Sequence, residues 1–215
     1  MNTVRIWFSK TGEASYISLL DLQRVMGRAL KRSGLPVWYT LGFNPHIYMT
    51  FACPLPLGQE SLVESVDVKT EQEAPDFEAW KAALAPVMPS GIKVQRVEAA
   101  RMKAEQIGFA RYAVTTDSPV AEAAAAAYNA SAGAQVMKKS KRGLRPIELK
   151  EHIPAIELTR QGALWRFELL LPASETLNLN PSLLLHYLEE QYHLPTAGCN
   201  VLRTALYTKN MELFH

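Results

Sequence analysis

A single histidine, His46, stands in the run Leu41 to Glu64, LGFNPHIYMTFACPLPLGQESLVE, with Asn44 and Pro45 just before it. An imidazole placed on a turn can act as a general base, contact a phosphate, or cap the turn itself. No second His or Cys accompanies His46 at ligand spacing, so the expected metal content is none. Ahead of this run, Arg24, Arg28 and Arg32 recur every fourth residue, with Lys31 beside them. On a helix that spacing makes one row of cations, suited to phosphates or simply to water. The third signal is KKSKRGLR, in which Lys138, Lys139, Lys141, Arg142 and Arg145 give five cations in eight residues. A loop with that charge density and a glycine suits phosphate contacts, and a solvated loop is the plainer reading. Trp38, Phe43 and Tyr48 could stack on bases, although aromatic residues near a loop more often belong to a core.

Bulk composition narrows the alternatives. The chain has 215 residues, enough for one large domain or two small ones. With 48% apolar and 20% charged residues it can bury a core. Its 23 Lys and Arg nearly balance 21 Asp and Glu, for a net charge of +2. Nucleic-acid binding must then come from local clusters and not from overall charge. Cys53 and Cys199 lie far apart and form no Cys-x-x-Cys pair, which argues against a cluster or zinc site made by this chain alone, and no cofactor is expected. The start, MNTVRIWFSK, lacks an apolar signal region, and no run reaches membrane-spanning length. The expected location is cytoplasmic, with no membrane partner.

The elements that must position these residues follow from periodicity. Val4, Ile6 and Phe8 alternate with Arg5 and Trp7, predicting a strand with one face in the core. A helix is expected from Ser18 or Asp21 to Ser33, stopped by Gly34 and Pro36, with Leu22, Val25, Met26, Ala29 and Leu30 as its apolar stripe. Val37 to Thr40 reads as a short strand. Residues 50–54 and 62–68 read as two parts of one longer strand, broken by Pro54, Pro56 and Gly58. A helix over 76–88 and a strand over 92–97 complete the order β-α-β-β-α-β, the ferredoxin-like pattern. After a polar stretch the order restarts. It shows a strand at 112–115, an alanine-rich helix after Ser118-Pro119, and a strand at 135–137 running into the basic loop. A hairpin of Ile156 and Leu158 with 164–171 follows, then a helix capped by Asn180-Pro181 and a strand at 201–207. The predicted fold is α+β. It comprises two tandem ferredoxin-like halves with antiparallel sheets, residues 1–98 and 109–215, joined by a linker at 99–108.

Several motifs together resemble a known family. FSKTG, ISLLDLQRVMGRALKRSGLP, LGFNPH, and PLPLG followed by Glu64 are similar to the radical SAM-associated bacterial proteins, a domain of unknown function found alone or fused behind radical SAM domains. The likeness covers the first 70 residues, resumes at KKSKRGLRPIEL and touches Arg203. Leu19 stands where that family has His, and Ile47 where it has Pro. The resemblance implies a radical SAM enzyme as partner, which would carry the cluster this chain lacks. Two functions are then expected. One is a non-catalytic RNA-binding and partner module that would present tRNA or rRNA to such an enzyme. The alternative is a small metal-independent endoribonuclease using His46. In either case α1 of a ferredoxin-like half begins near the turn that carries His46. Asp21 and Arg24 are therefore expected to meet Asn44 and His46 in one polar cluster. Ser18 and Glu64 would adjoin it, and Arg32 would lie too far away.

Overall fold

A computed structural model describes residues 2–140 and 143–215. Lys141 and Arg142, in the middle of the basic run, lie outside the described residues. The chain is mixed α+β, with mostly antiparallel strands and four α-helices among the described residues. It divides into two units, residues 1–107 with 213–215, and residues 108–212.

In the first unit, β1 (Asn2–Lys10) is followed by α1 (Leu19–Ser33), β2 (Met49–Phe51), β3 (Glu60–Thr70), α2 (Phe77–Leu84) and β4 (Ile92–Ala99). The strands lie in the order β4-β1-β3-β2, each antiparallel to its neighbour. Ser18 caps α1 by accepting the Asp21 amide at 3.2 Å. Gly34 closes the helix at φ 69°, a left-handed conformation that glycine adopts without steric cost. Leu22, Met26 and Leu30 bury the helix against Val4, Ile6 and Phe8, with Trp80 and Leu84 of α2 in the same core. Asp76 caps α2 through the Ala79 amide at 3.0 Å. Pro86 cannot donate the next helical bond, so α2 stops at Leu84 and tightens into a 3-10 turn over Ala85–Val87.

Three sequence expectations change here. β1 is buried on both faces, because the terminal segment covers the Arg5 and Trp7 side. Phe214 lies 5.9 Å from Trp7, and the Arg5 guanidinium sits 4.7 Å from the Phe214 ring. Arg5 is fully buried and forks onto Asp67 at 2.7 and 2.8 Å, with further bonds to the carbonyls of Met102 and His215. The two pieces expected to form one strand are instead antiparallel partners, Met49 facing Val68 and Phe51 facing Val66. The prolines and Gly58 turn the chain back on itself, and alternation alone could not reveal that reversal. Residues 37–40 make only isolated bridges, Val37 with Thr70 and Tyr39 with Ile47.

The second unit contains β5 (Ile107–Thr116), α3 (Ala121–Ala130), β6 (Gln135–Ser140), β7 (Gly143–Glu148), β8 (Thr159–Gln161), β9 (Leu164–Pro172), α4 (Pro181–Tyr192) and β10 (Cys199–Thr208). Its main sheet runs β10-β5-β9-β8, and β6 and β7 form a separate two-stranded ribbon. The alanine run lets α3 bury Ala121, Ala124 and Ala125 with Tyr128, whose hydroxyl donates to the Ile153 carbonyl at 2.7 Å. Ile156, expected in a hairpin arm, sits in irregular chain tied by two bonds to Asn129, and β8 begins only at Thr159. The basic run, expected as a loop, is largely strand.

Candidate nucleic-acid interface

After α1 the chain makes a narrow excursion. Trp38 donates to Lys69 O at 2.8 Å, Thr40 to His46 O at 2.8 Å, and Tyr48 to Trp38 O at 3.2 Å. Residues 41–45 form the tip, where Leu41 and Phe43 are almost wholly exposed. His46 is held from both sides. Its amide donates to Thr40 Oγ1 at 3.1 Å, and its Nδ1 lies 3.0 Å from the same hydroxyl and 3.3 Å from Asn44 O. A carbonyl can only accept, so the Asn44 contact calls for a proton on Nδ1.

Between α1 and this excursion lies a cavity of about 510 Å³. One wall is helical and carries Arg24, Gly27, Arg28 and Lys31; the other is the segment from His46 to Thr50. Leu20 and Gln23 complete it, and no acidic side chain is among the described residues that line it. The three cations differ in their engagement. Arg24 Nη1 is bound to Asp21 at 2.9 Å. Lys31 Nζ lies 6.0 Å from the Tyr39 ring. Arg28 has no ion pair or hydrogen bond among the described residues. Beside the cavity, Lys69 Nζ sits 4.1 Å from the Tyr48 ring and 5.5 Å from the Trp38 ring, the two rings being 6.1 Å apart.

The expected polar cluster is distributed differently. His46 and Arg24 share the cavity, but the ring bonds of His46 go to Thr40 and Asn44. Asp21 bonds to Ser18 Oγ at 2.7 Å and to Arg24. The Ser18 hydroxyl, then the Arg24 guanidinium, hold its carboxyl below the ordinary value of 3.8. Glu64 is buried on β3 opposite Phe8 and does not line the cavity. Arg32 leaves the row, donating to Val87 O at 2.8 Å. Ile47, at the position of one departure from the motif, is buried in the core, whereas Leu19, the other, is partly exposed at the start of α1.

The second basic feature is the β6–β7 ribbon. Lys138 lies directly opposite Arg145, and Lys139 opposite Leu144. Directly opposed residues share a face, so Lys138 and Arg145 point one way and Lys139 the other. Lys141 and Arg142 lie outside the described residues. Arg203, the remaining basic residue of the motif likeness, is buried on β10 with Nη2 3.4 Å from the Tyr112 hydroxyl. Among the described residues no group of three or more His, Cys, Asp or Glu comes together in a metal-holding arrangement. No helix among them is long and apolar enough to cross a membrane.

Residues 3–181 match the bacterial family described as "Uncharacterized protein conserved in bacteria (DUF2344)". The chain belongs to that family. The matched region takes in the whole cavity of the first unit and the β6–β7 ribbon of the second. No curated protein matches the chain. Among solved structures, an unknown protein from Galdieria sulphuraria is similar at 15% identity, over 93% of this chain and 95% of that one, with a TM-score of 0.26.

Reasoning from sequence picked out Arg24, Arg28, Lys31 and His46 but missed Gly27, Met49 and Lys69. Gly27 had a legible signal, a glycine inside an otherwise strong helical pattern. Lys69 had none, because it reaches the Trp38 and Tyr48 rings through the pairing of β3 with the excursion.

Proposed function

We propose that this member of the family is a non-catalytic RNA-binding module. The observation that carries the reading is the cavity, with Arg24, Arg28 and Lys31 on one wall, His46 and Tyr48 on the other, and no lining carboxylate among the described residues. Such a wall favours phosphate oxygens, and its aromatic neighbour offers a stacking surface. The ribbon adds support. Like charges directly opposed across strands disfavour one another, and a phosphate between Lys138 and Arg145 would relieve that repulsion. We read both units as ferredoxin-like. The order β4-β1-β3-β2 supports this for the first unit. The order β10-β5-β9-β8 supports it for the second, with β6–β7 as an insertion. A radical SAM enzyme as partner, tRNA or rRNA as the RNA it would be shown, and a cytoplasmic setting rest on the motif resemblance.

The test is binding of labelled tRNA and of short single-stranded RNA, by fluorescence anisotropy across a salt series without added metal. Binding that weakens with salt, and weakens further in Arg28→Ala and Lys31→Ala, is the expected result. No retention of RNA at low salt refutes the reading. Specific cleavage that disappears in His46→Ala would replace it with the endoribonuclease alternative.

A further inference from the structure

Gly27 occupies the middle of α1, where glycine weakens a helix. Nothing in its surroundings demands glycine. Its backbone is not in the left-handed region, and an added Cβ would meet only the terminal methyl of Met49, at an ordinary 3.4 Å. What the missing side chain leaves open is the cavity, which Gly27 lines together with buried Ile47 and half-buried Met49. The exposed rim holds Arg28 and Lys31, three residues apart and therefore on one helix face. At one side stands Tyr48, its ring already polarised by Lys69 at 4.1 Å. The volume of about 510 Å³ is in the range of small-ligand pockets. The interior is mostly apolar, and the rim is cationic.

We propose that this cavity takes one unstacked nucleotide of an RNA single strand, its base against Gly27, Ile47 and Met49 and its flanking phosphates on Arg28 and Lys31. This rests on the RNA-binding reading and narrows it to a substrate class. A base locked in a duplex stack cannot enter such a pocket, whereas single-stranded loops and ends present splayed bases. The cations alone would hold either form, so selectivity for single strands has to come from the space beside Gly27.

The experiment compares a short single-stranded RNA with the same sequence as a duplex, at equal salt, on the full chain. The proteins are wild type, Gly27→Ala and Gly27→Leu, each checked by a thermal melt. Wild type is expected to prefer the single strand. Gly27→Leu, whose side chain fills the cavity, should weaken single-strand binding by about ten-fold or more and erase the preference. Its salt slope should be unchanged, because every cation remains. Gly27→Ala should melt no lower than wild type and bind less tightly. A second measurement is independent of the variants. A nucleoside 5′-monophosphate at millimolar concentration should shift the Ile47 and Met49 amide NMR signals of wild type, on the wall opposite the cations, and inorganic phosphate should not. Equal binding of single strand and duplex with Gly27→Leu unaffected, or identical shifts from phosphate alone, overturns the nucleotide pocket while leaving RNA binding in place. Failure of wild type to bind any RNA overturns both.

Discussion

Replacing Asp21 by Asn should tighten RNA binding, although the substitution adds no positive residue. Asp21 engages Arg24 at 2.9 Å and does not itself line the cavity. Its carboxyl is held below the ordinary value of 3.8, first by the Ser18 hydroxyl and then by Arg24, so it is fully charged at neutral pH. Arg24 therefore enters the cavity partly neutralised, while Arg28 enters with its full charge. Each phosphate neutralised on a single strand contributes roughly 0.7 to the slope of log K against log salt. At about 0.1 M salt one such contact amounts to roughly five-fold in affinity. Releasing Arg24 should thus lower Kd by up to about five-fold and steepen the slope by about 0.7. Arg28→Ala should do the reverse by the same amount, and Arg24→Ala should cost less than Arg28→Ala. The sign with pH follows from the lowered value. The stabilisation Asp21 gives the start of α1 is present above pH 3.8 and is lost as pH falls through the still lower folded value. The gain in Asp21→Asn should therefore be flat between about pH 5 and 8. The assay is anisotropy with single-stranded RNA over a four-fold salt range. An Asp21→Asn protein with unchanged Kd and slope, beside an Arg28→Ala protein that binds more weakly, removes Arg24 from the phosphate contacts. No change in either removes the helical wall as the RNA face.

Three further outcomes test the framework that holds the site. Arg5→Met leaves the Asp67 carboxylate without its fork and should cost about 3–5 kcal/mol in urea unfolding followed by tryptophan fluorescence, with Arg5→Met/Asp67→Leu recovering part of the loss. Purely additive single-variant effects would contradict that pairing. Gly91→Ala would place a Cβ 2.5 Å from the Thr11 carbonyl, at a φ of +78° that side chains rarely adopt. It should destabilise by about 1–3 kcal/mol in the same assay, and a neutral result would mean that the Thr11 turn yields. Burial raises the Cys199 thiol, with Glu189 and Asp117 adding to the shift against a lowering bond from Thr116. Alkylation by iodoacetamide near pH 8 should then be slower at Cys199 than at a peptide thiol and should accelerate as pH rises further. A rate equal to the peptide's would refute the shift.

Some of this could be read from the chain alone, and the reasons are local. α1 was legible almost to the residue because its apolar period, Ser18 cap and Gly34 stop all act within a few residues. The arginine spacing placed Arg24 and Arg28 on one face for the same reason. Arg32 shares that spacing but turns to the Val87 carbonyl, a partner 55 residues away that no period encodes. Alternation in β1 marked one buried face. The second face is buried by Phe214, and only the return of the terminal segment could reveal that. The pairing of Met49–Phe51 with β3 was hidden because period two says which face a residue takes, not which strand lies beside it. The five-cation run announced its charge but not its geometry. Cross-strand register decides that Lys138 meets Arg145 while Lys139 faces away. The cavity is the clearest case. Arg28, His46 and Gly27 are separate letters in the sequence, and they become one site only because the excursion closes through Thr40 and His46 across from α1.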